Sequence, residues 1–404
     1  MKYVTLLCDG MADVPVPVLH GKTPMEAAFK PNMDRLFKTA LAGLAKTVPD
    51  GLPAGSDVAN LSVFGYAPVD HYTGRSPLEA ISMGLSMRDD DTALRCNLVT
   101  LGGSGPLKAR TMEDYSAGEI STEEARELIL AVAAVLDAES WSFHPGISYR
   151  HCMLWQGGPL DIRLTPPHDI SGRPVTEWLP AGPGAGTVLE LMERALPILA
   201  DHPVNRARKD RGLNPANAAW LWGQGRRPVL PLFQDVFGIR GSVISAVDLI
   251  KGIGLAAGMT SVDVAGATGN LHTNYRGKAE AALEELSSRS DFVYVHVEAP
   301  DECGHQGLAE EKTSAIERID AELLSVLLER LPVLGDFRML ILPDHPTPVG
   351  IRTHTRIPVP FLLYDSRKNL AVPGQGACFT ESNADTGLYL PEAHHLMNRL
   401  LERA

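Results

Sequence analysis

The sequence predicts an α/β protein built around a parallel sheet. Strand-length apolar runs recur, amphipathic helical patterns alternate with them, and candidate ligand-binding residues stand at the carboxyl ends of the runs. Three runs matter most. Tyr3 to Cys8 ends at Asp9, Phe292 to Val297 is followed closely by Asp301, and Met339 to Leu342 leads into Asp344 and His345. Between the last two, Glu310 to Leu331 places Ala315, Ile316, Ile319, Leu323, Leu324, Val326 and Leu327 on one stripe. That spacing suits a crossover helix between parallel strands. Polar groups at such strand ends fall in the usual ligand crevice of an open α/β sheet.

The middle of the chain reads differently. From Leu85 to Asp235, Pro and Gly are frequent, and a helical pattern over Thr122 to Leu136 sits among short strand candidates. Metal-ligand candidates flank this stretch. The expected organisation is therefore a discontinuous core, 1–84 with 236–404, and an inserted second domain over 85–235.

Bulk properties narrow the function. At 404 residues and 44% hydrophobic content the chain can fill a large core. A formal charge of -12 argues against broad nucleic-acid or acidic-membrane contact. The five cysteines are odd in number, spread out and without a CxxC pair, so neither a disulfide framework nor a thiolate zinc site is expected. The N-terminus opens into a strand-like run, and no stretch approaches the roughly 18 apolar residues of a membrane span. These features read as a cytoplasmic protein.

Asp9, Asp301, His305, Asp344, His345 and His354 could together hold divalent metal. Asp301 and His305 are four residues apart and reach one ion if the segment turns at Gly304. Asp344 and His345 are adjacent, and in a loop they can address different ions. Mixed carboxylate and imidazole donors suit Mn²⁺, Zn²⁺, Co²⁺ or Fe²⁺ better than Ca²⁺. Each residue alone has a plainer explanation, as a helix cap, a turn residue or a partly buried histidine. The weight lies in their combination.

Ser56 follows a Gly-rich turn and opens a helical pattern through Ser62. On spacing alone it reads as the helix N-cap. The same position exposes a hydroxyl at a positive helix end, where amide groups can hold phosphate oxygens and a neighbouring metal would make the hydroxyl a nucleophile.

Several ordered motifs point further. They include Cys8-Asp9-Gly10-Met11-Ala12-Asp13, Gly55-Ser56-Asp57-Val58-Ala59-Asn60 and Gly74-Arg75-Ser76-Pro77-Leu78-Glu79-Ala80. Arg95-Cys96-Asn97-Leu98, Gly266-Ala267-Thr268-Gly269, Thr273-Asn274-Tyr275 with Lys278, and His296-Val297-Glu298-Ala299-Pro300-Asp301 continue the series. Along its whole length the chain resembles the shorter, archaeal-type cofactor-independent phosphoglycerate mutases.

The resemblance implies an alkaline-phosphatase-like core sheet with an inserted α/β substrate-binding domain. It implies one metal held by Asp301, His305 and His354, and another by Asp9, Ser56, Asp344 and His345. Mn²⁺ is the expected ion, with Zn²⁺, Co²⁺ or Mg²⁺ as alternatives, and no 2,3-bisphosphoglycerate is required. Ser56 would take the phosphoryl group of 3-phosphoglycerate and return it to the 2-hydroxyl, with Lys278 contacting the group in transfer. The partner is thus a small phosphorylated hydroxy acid.

Arg206 and Arg208 resemble a phosphate-binding arginine pair, against the plainer reading of a solvated basic run. Arg150 and His168 are candidates for the carboxylate and hydroxyl side of the substrate. A related phosphotransferase acting on homoserine, or a metal-dependent phosphomonoesterase, would use the same motifs. A P-loop kinase is disfavoured because Gly21-Lys22-Thr23 lacks the upstream glycine. The sequence around Ser56 likewise lacks the Pro and Arg of a sulfatase.

Overall fold

Lys2–Cys8 (β1) is the hydrophobic axis around which the larger part of the chain is built. The computed structural model describes residues 1–372 and 375–403. Among these, β1 is joined in one sheet by Leu41–Ala45 (β2), Gly241–Ile244 (β3), Thr260–Val262 (β4), Phe292–Val297 (β5), Phe337–Leu342 (β6), Val359–Asp365 (β7) and Tyr389–Leu390 (β8). The order is β8-β2-β7-β6-β1-β5-β3-β4. β1 lies parallel to both β5 and β6, while β7 runs antiparallel to β6 and β2. The three central strands are buried on both faces, which is why they read as near-continuous apolar runs.

Register fixes where the chemistry falls. Cys8 pairs with Val297 and Leu7 with Leu342, so the three strands end level with one another. Asp9, Asp301, Asp344 and His345 therefore emerge at one edge of the sheet. The crossover from β5 to β6 is helical as expected, but not uniformly so. It runs through Ala299–Gln306 and Ala309–Arg318, passes a π-turn at Ile319–Leu324 and resumes at Ser325–Arg330. Asp320 on the π-turn accepts hydrogen bonds from the backbone N–H groups of Asn32 and Met33, capping a helix that has no side-chain cap of its own.

The chain divides into two compact units, Met1–Tyr72 with Val229–Ala404, and Thr73–Pro228. Both divisions come earlier than the 85–235 boundaries expected from composition. The reason is packing. Ala80 and Met87 cluster with Ala93 and Cys152 of the second unit. Phe233, by contrast, stacks on Phe292 of β5, with ring centroids 5.1 Å apart.

The second unit holds a five-stranded sheet in which Asp91–Gly102 is antiparallel to Thr111–Asp114, Arg150–Gln156 and Ala218–Arg226. Trp141–His144 completes it. Helices Thr122–Leu136 and Ala185–Ala200 bury Leu128, Ile129, Val132, Leu191 and Leu199 in that unit's core. All five tryptophans (Trp141, Trp155, Trp178, Trp220 and Trp222) belong to this unit. All five cysteines of the chain are free. Among the described residues no helix is long and apolar enough to cross a membrane.

Candidate metal centre and active site

Four chain segments meet at the β1/β5/β6 edge, the end of β1 supplying Asp9. Helix Ser56–Val63 (α1) supplies Ser56, helix Ala299–Gln306 (α3) supplies Asp301 and His305, and the loop after β6 supplies Asp344, His345 and His354. Ser56 is the first residue inside α1. Gly55 takes the cap position and makes no side-chain cap bond. The capping role read from spacing alone is thus corrected: Ser56 Oγ lies 3.1 Å from His345 Nε2 instead. The expected turn at Gly304 is corrected too. Asp301 and His305 come together because residues four apart share one helical face. Gly304 is needed for another reason, since a Cβ there would approach the Thr347 carbonyl to 2.5 Å.

Asp301, His305 and His354 converge into one potential ligand set, and Asp9, Asp301 and His345 into another. In the first, His305 Nε2 is 3.3 Å from Asp301 Oδ2 and 2.8 Å from His354 Nε2. In the second, His345 Nε2 is 3.7 Å from Asp9 Oδ1, 3.3 Å from Asp344 Oδ2 and 3.1 Å from Ser56 Oγ. Asp301 stands between the two. At Gly10, with φ +61°, a Cβ would come within 2.6 Å of Asp301, so only glycine permits this approach.

Hydrogen bonding fixes the imidazoles. His305 Nδ1 faces the Arg352 carbonyl at 3.0 Å and His354 Nδ1 the Ala54 carbonyl at 3.0 Å. A carbonyl only accepts, so both Nδ1 atoms carry hydrogen and both Nε2 atoms point inward, where each binds either a proton shared with Asp301 or a metal ion. His345 Nδ1 meets Thr347 Oγ1 at 3.2 Å, and that hydroxyl donates to Asp301 Oδ1. Its Nε2 lone pair is thereby turned on the site as well.

The Nε2 atoms of His305 and His354, 2.8 Å apart, need a proton or a metal ion between them. The carboxylates make the same demand. Burial, then the charges of Asp344, Asp301 and Glu298, push the Asp9 carboxyl well above its usual range. Asp9 Oδ1 is buried and has no hydrogen-bond partner among the described residues. The hydrogen bond to Asp301, its largest cause, raises His305 to about 9. Burial opposes ionisation of Asp301, but the bonds from His305 and His354 outweigh it and hold that carboxyl well below its usual range. The donor set therefore fits divalent metal.

A second layer surrounds these groups. His296 on β5 directs Nε2 to Asp9 Oδ2 at 2.9 Å and Nδ1 to Ser245 Oγ at 3.1 Å, leaving Asp9 Oδ1 for the site. Lys278, on helix Tyr275–Ser288 (α2), is 1% exposed and donates to the His296 carbonyl at 2.8 Å; burial lowers it to about 8. Ser245 and Thr347 carry no motif signal, and His296 stands in a quoted motif without a role, because their partners are distant in sequence.

The chain is similar to proteins already known. A sequence-family description, 2,3-bisphosphoglycerate-independent phosphoglycerate mutase, matches residues 38–205. A Methanosarcina barkeri protein of the same name is 47% identical, with 100% of each chain covered.

The chain belongs to the 2,3-bisphosphoglycerate-independent phosphoglycerate mutase family.

A solved Pyrococcus horikoshii protein has the same architecture, with a TM-score of 0.81, 29% identity and coverage of 100% of this chain and 98% of that one. The cofactor-independent phosphoglycerate mutase of Thermoplasma acidophilum gives a TM-score of 0.64 at 26% identity, covering 100% and 99%.

For this family member the second unit repays separate inspection. Arg95 stands on the buried strand Asp91–Gly102, its guanidinium 4.3 Å from the Trp222 ring centroid and 3.0 Å from Glu79. The His168 ring is 5.3 Å from Trp222 and 6.0 Å from Tyr115. Arg150 lies over Tyr149 at 5.2 Å. Burial lowers Arg95 to about 10, and the like charges of Arg75 and Arg150 act in the same direction. Arg75, Arg95, Arg150 and His168 thus share one basic neighbourhood. Of these, sequence reasoning assigned roles to Arg150 and His168 alone. Its place at the head of the motif Arg95-Cys96-Asn97-Leu98 was the signal for Arg95.

The expected arginine pair does not form. Residues two apart on helix Pro203–Asp210 face opposite ways, so Arg206 is exposed and Arg208 is 3% exposed. Arg208 donates to the carbonyls of Asn214 and Ala117 and pairs with Glu124. It braces its own unit and offers no fork to a phosphate.

Proposed function

We propose that this chain interconverts 3-phosphoglycerate and 2-phosphoglycerate by way of a phosphoserine at Ser56, with two divalent ions bound. The observation that carries the reading is the convergence of Ser56 Oγ, Asp9 Oδ1 and Asp344 Oδ2 on the Nε2 lone pair of His345. Asp301, His305 and His354 would hold one ion, and Asp9, Ser56, Asp344 and His345 the other. When bound, the ions would ease loss of the Ser56 proton and offset charge on the phosphoryl oxygens. The Ser56 hydroxyl attacks phosphorus as the substrate oxygen leaves, and that oxygen takes up a proton. The 2-hydroxyl of the resulting glycerate then attacks the phosphoserine, and Ser56 recovers its proton.

Asp9, kept in place by His296, and Asp301, kept in place by Thr347, would hold the ions beside which the reacting oxygens line up. Lys278, close to the same strand ends, offers a positive charge to the transferring group. The basic neighbourhood of Arg95, Arg150 and His168 supplies charge suited to the substrate carboxylate. Mn²⁺ as the ion rests on the mixed carboxylate and imidazole donors. The cytoplasm as the compartment rests on the small phosphorylated metabolites that the family's relatives are named for.

The purified protein with Mn²⁺ is expected to turn 3-phosphoglycerate into 2-phosphoglycerate in an enolase-coupled assay. Ser56→Ala should abolish that turnover while retaining about two ions per chain. Silence of the wild type, together with phosphate release or ATP-dependent phosphorylation of homoserine, would replace the proposal. Wild-type rates in Ser56→Ala would remove the phosphoserine from it.

A further inference from the structure

We infer that Asn60 is a positioning residue that ties the Ser56 helix to Asp344, with Tyr294 fixing its orientation; the inference rests on the phosphoryl-transfer reading. Asn60 lies one helical turn after Ser56 and is fully buried. Its Nδ2 donates to the Ser56 carbonyl at 2.8 Å and to Asp344 Oδ2 at 2.8 Å. Its Oδ1 accepts from the Tyr294 hydroxyl at 2.6 Å. A carbonyl and a carboxylate only accept, so the amide cannot be turned over without setting oxygen against oxygen. Both N–H groups are spent on the nucleophile's own residue and on a candidate metal ligand.

The surroundings stiffen this link. Tyr294 stacks on Phe64 of the same helical segment, with centroids 3.9 Å apart and planes 13° apart. Burial raises the Tyr294 phenol well above its ordinary value, so it remains a donor. Asp344 Oδ1 is held separately by the backbone N–H groups of Gly10 at 3.2 Å and His345 at 2.9 Å. With Oδ1 fixed by those two loops, the Asn60 bond sets the rotation of the carboxylate. It therefore sets where Oδ2 sits relative to Ser56 Oγ and His345 Nε2. A helix-interior asparagine costs helix propensity and ordinarily turns outward. Here it faces inward, and every polar group it presents is used.

An asparagine that only fills space would tolerate an apolar residue of the same size, whereas a positioning residue would not. The test uses full-length Asn60→Leu and Asn60→Asp, with Tyr294→Phe as a milder variant that keeps the ring and its stacking. Each metal-stripped protein is titrated with Mn²⁺, and turnover of 3-phosphoglycerate is measured beside it. Loss of such a supporting contact should weaken one of two bound ions by about 10- to 100-fold. kcat should fall by a similar factor while KM changes by less than about threefold, since the contact bears on the reacting geometry rather than on the substrate's remote groups. Tyr294→Phe should move both quantities in the same direction by less. Folded Asn60→Leu or Tyr294→Phe with wild-type Mn²⁺ affinity and kcat would overturn the inference. If the wild type is itself inactive on 3-phosphoglycerate, the proposed function fails, and the Mn²⁺ titrations still decide Asn60.

Discussion

Lys312→Met should destabilise the metal-free protein far more than a surface charge change would. Lys312 and Asp13 have fully buried side chains and form an ion pair at 2.7 Å. The ammonium also donates to the carbonyl oxygens of Ala12 at 3.1 Å and Thr347 at 2.9 Å, so its three N–H groups are all spent. It thereby pins the loop that begins at Asp9 to the loop that begins at Asp344. Methionine keeps most of the volume and removes the charge. Asp13 would be left with only the backbone N–H groups of Val14 and Val349. Removing one partner of a buried pair costs about 3–5 kcal/mol, because the other charge stays buried without compensation. The assay is urea unfolding of metal-stripped protein followed by far-UV circular dichroism. A double variant, Lys312→Met with Asp13→Leu, should recover part of the loss because the stranded charge is gone. A single-variant loss below about 1 kcal/mol, the size of a solvated pair, would refute the reasoning.

Two further outcomes can be measured directly. His354→Ala should lower bound Mn²⁺ from about two ions per chain to about one, because His354 Nε2 faces His305 Nε2 and Asp301; elemental analysis showing unchanged content would count against the grouping. Burial lowers His151 from 6.5 to about 3, and its Nδ1 accepts from the Gly146 N–H at 3.0 Å. The unfolded chain therefore takes up this proton below about pH 6.5 while the folded one refuses it until about pH 3. Stability should accordingly fall by about 1.4 kcal/mol per pH unit as pH drops through that window. His151→Leu should flatten the slope by that amount, and parallel slopes for the two proteins would exclude the buried imidazole as its source.

The parts of the molecule legible from sequence are those governed by local periodicity. Phe292–Val297 and the helix Thr122–Leu136 appear with the limits their apolar patterns suggested, because each is specified by burial along one short segment. The strand-end donors were legible for a related reason, since a parallel sheet sends its carboxyl ends to a common edge. What periodicity does not carry is the partner of a polar side chain. Ser56 looked like a cap until His345, far along the chain, was seen beside it. Arg206 and Arg208 looked like a pair until helical geometry set them on opposite faces. Asn60 and His296 stood in motifs without a role and Thr347 was silent, as each is defined by a bond to a residue on another segment. The π-turn at Ile319–Leu324 was hidden too, because one widened turn leaves the apolar stripe nearly unchanged.

With every indole confined to residues 73–228, the chain carries an optical label on one of its two units and none on the other. Trp222 is the sensitive member, with a guanidinium over its ring and an imidazole at its edge. Under the proposed function an anion drawn to Arg95, which is already paired with Glu79, would alter the field across that indole, and a shifted emission maximum without any attached dye is the expected readout. The proposed metal ligands include no tryptophan. Anion binding would then be followed by emission and metal binding by calorimetry, in one sample of the unlabelled protein.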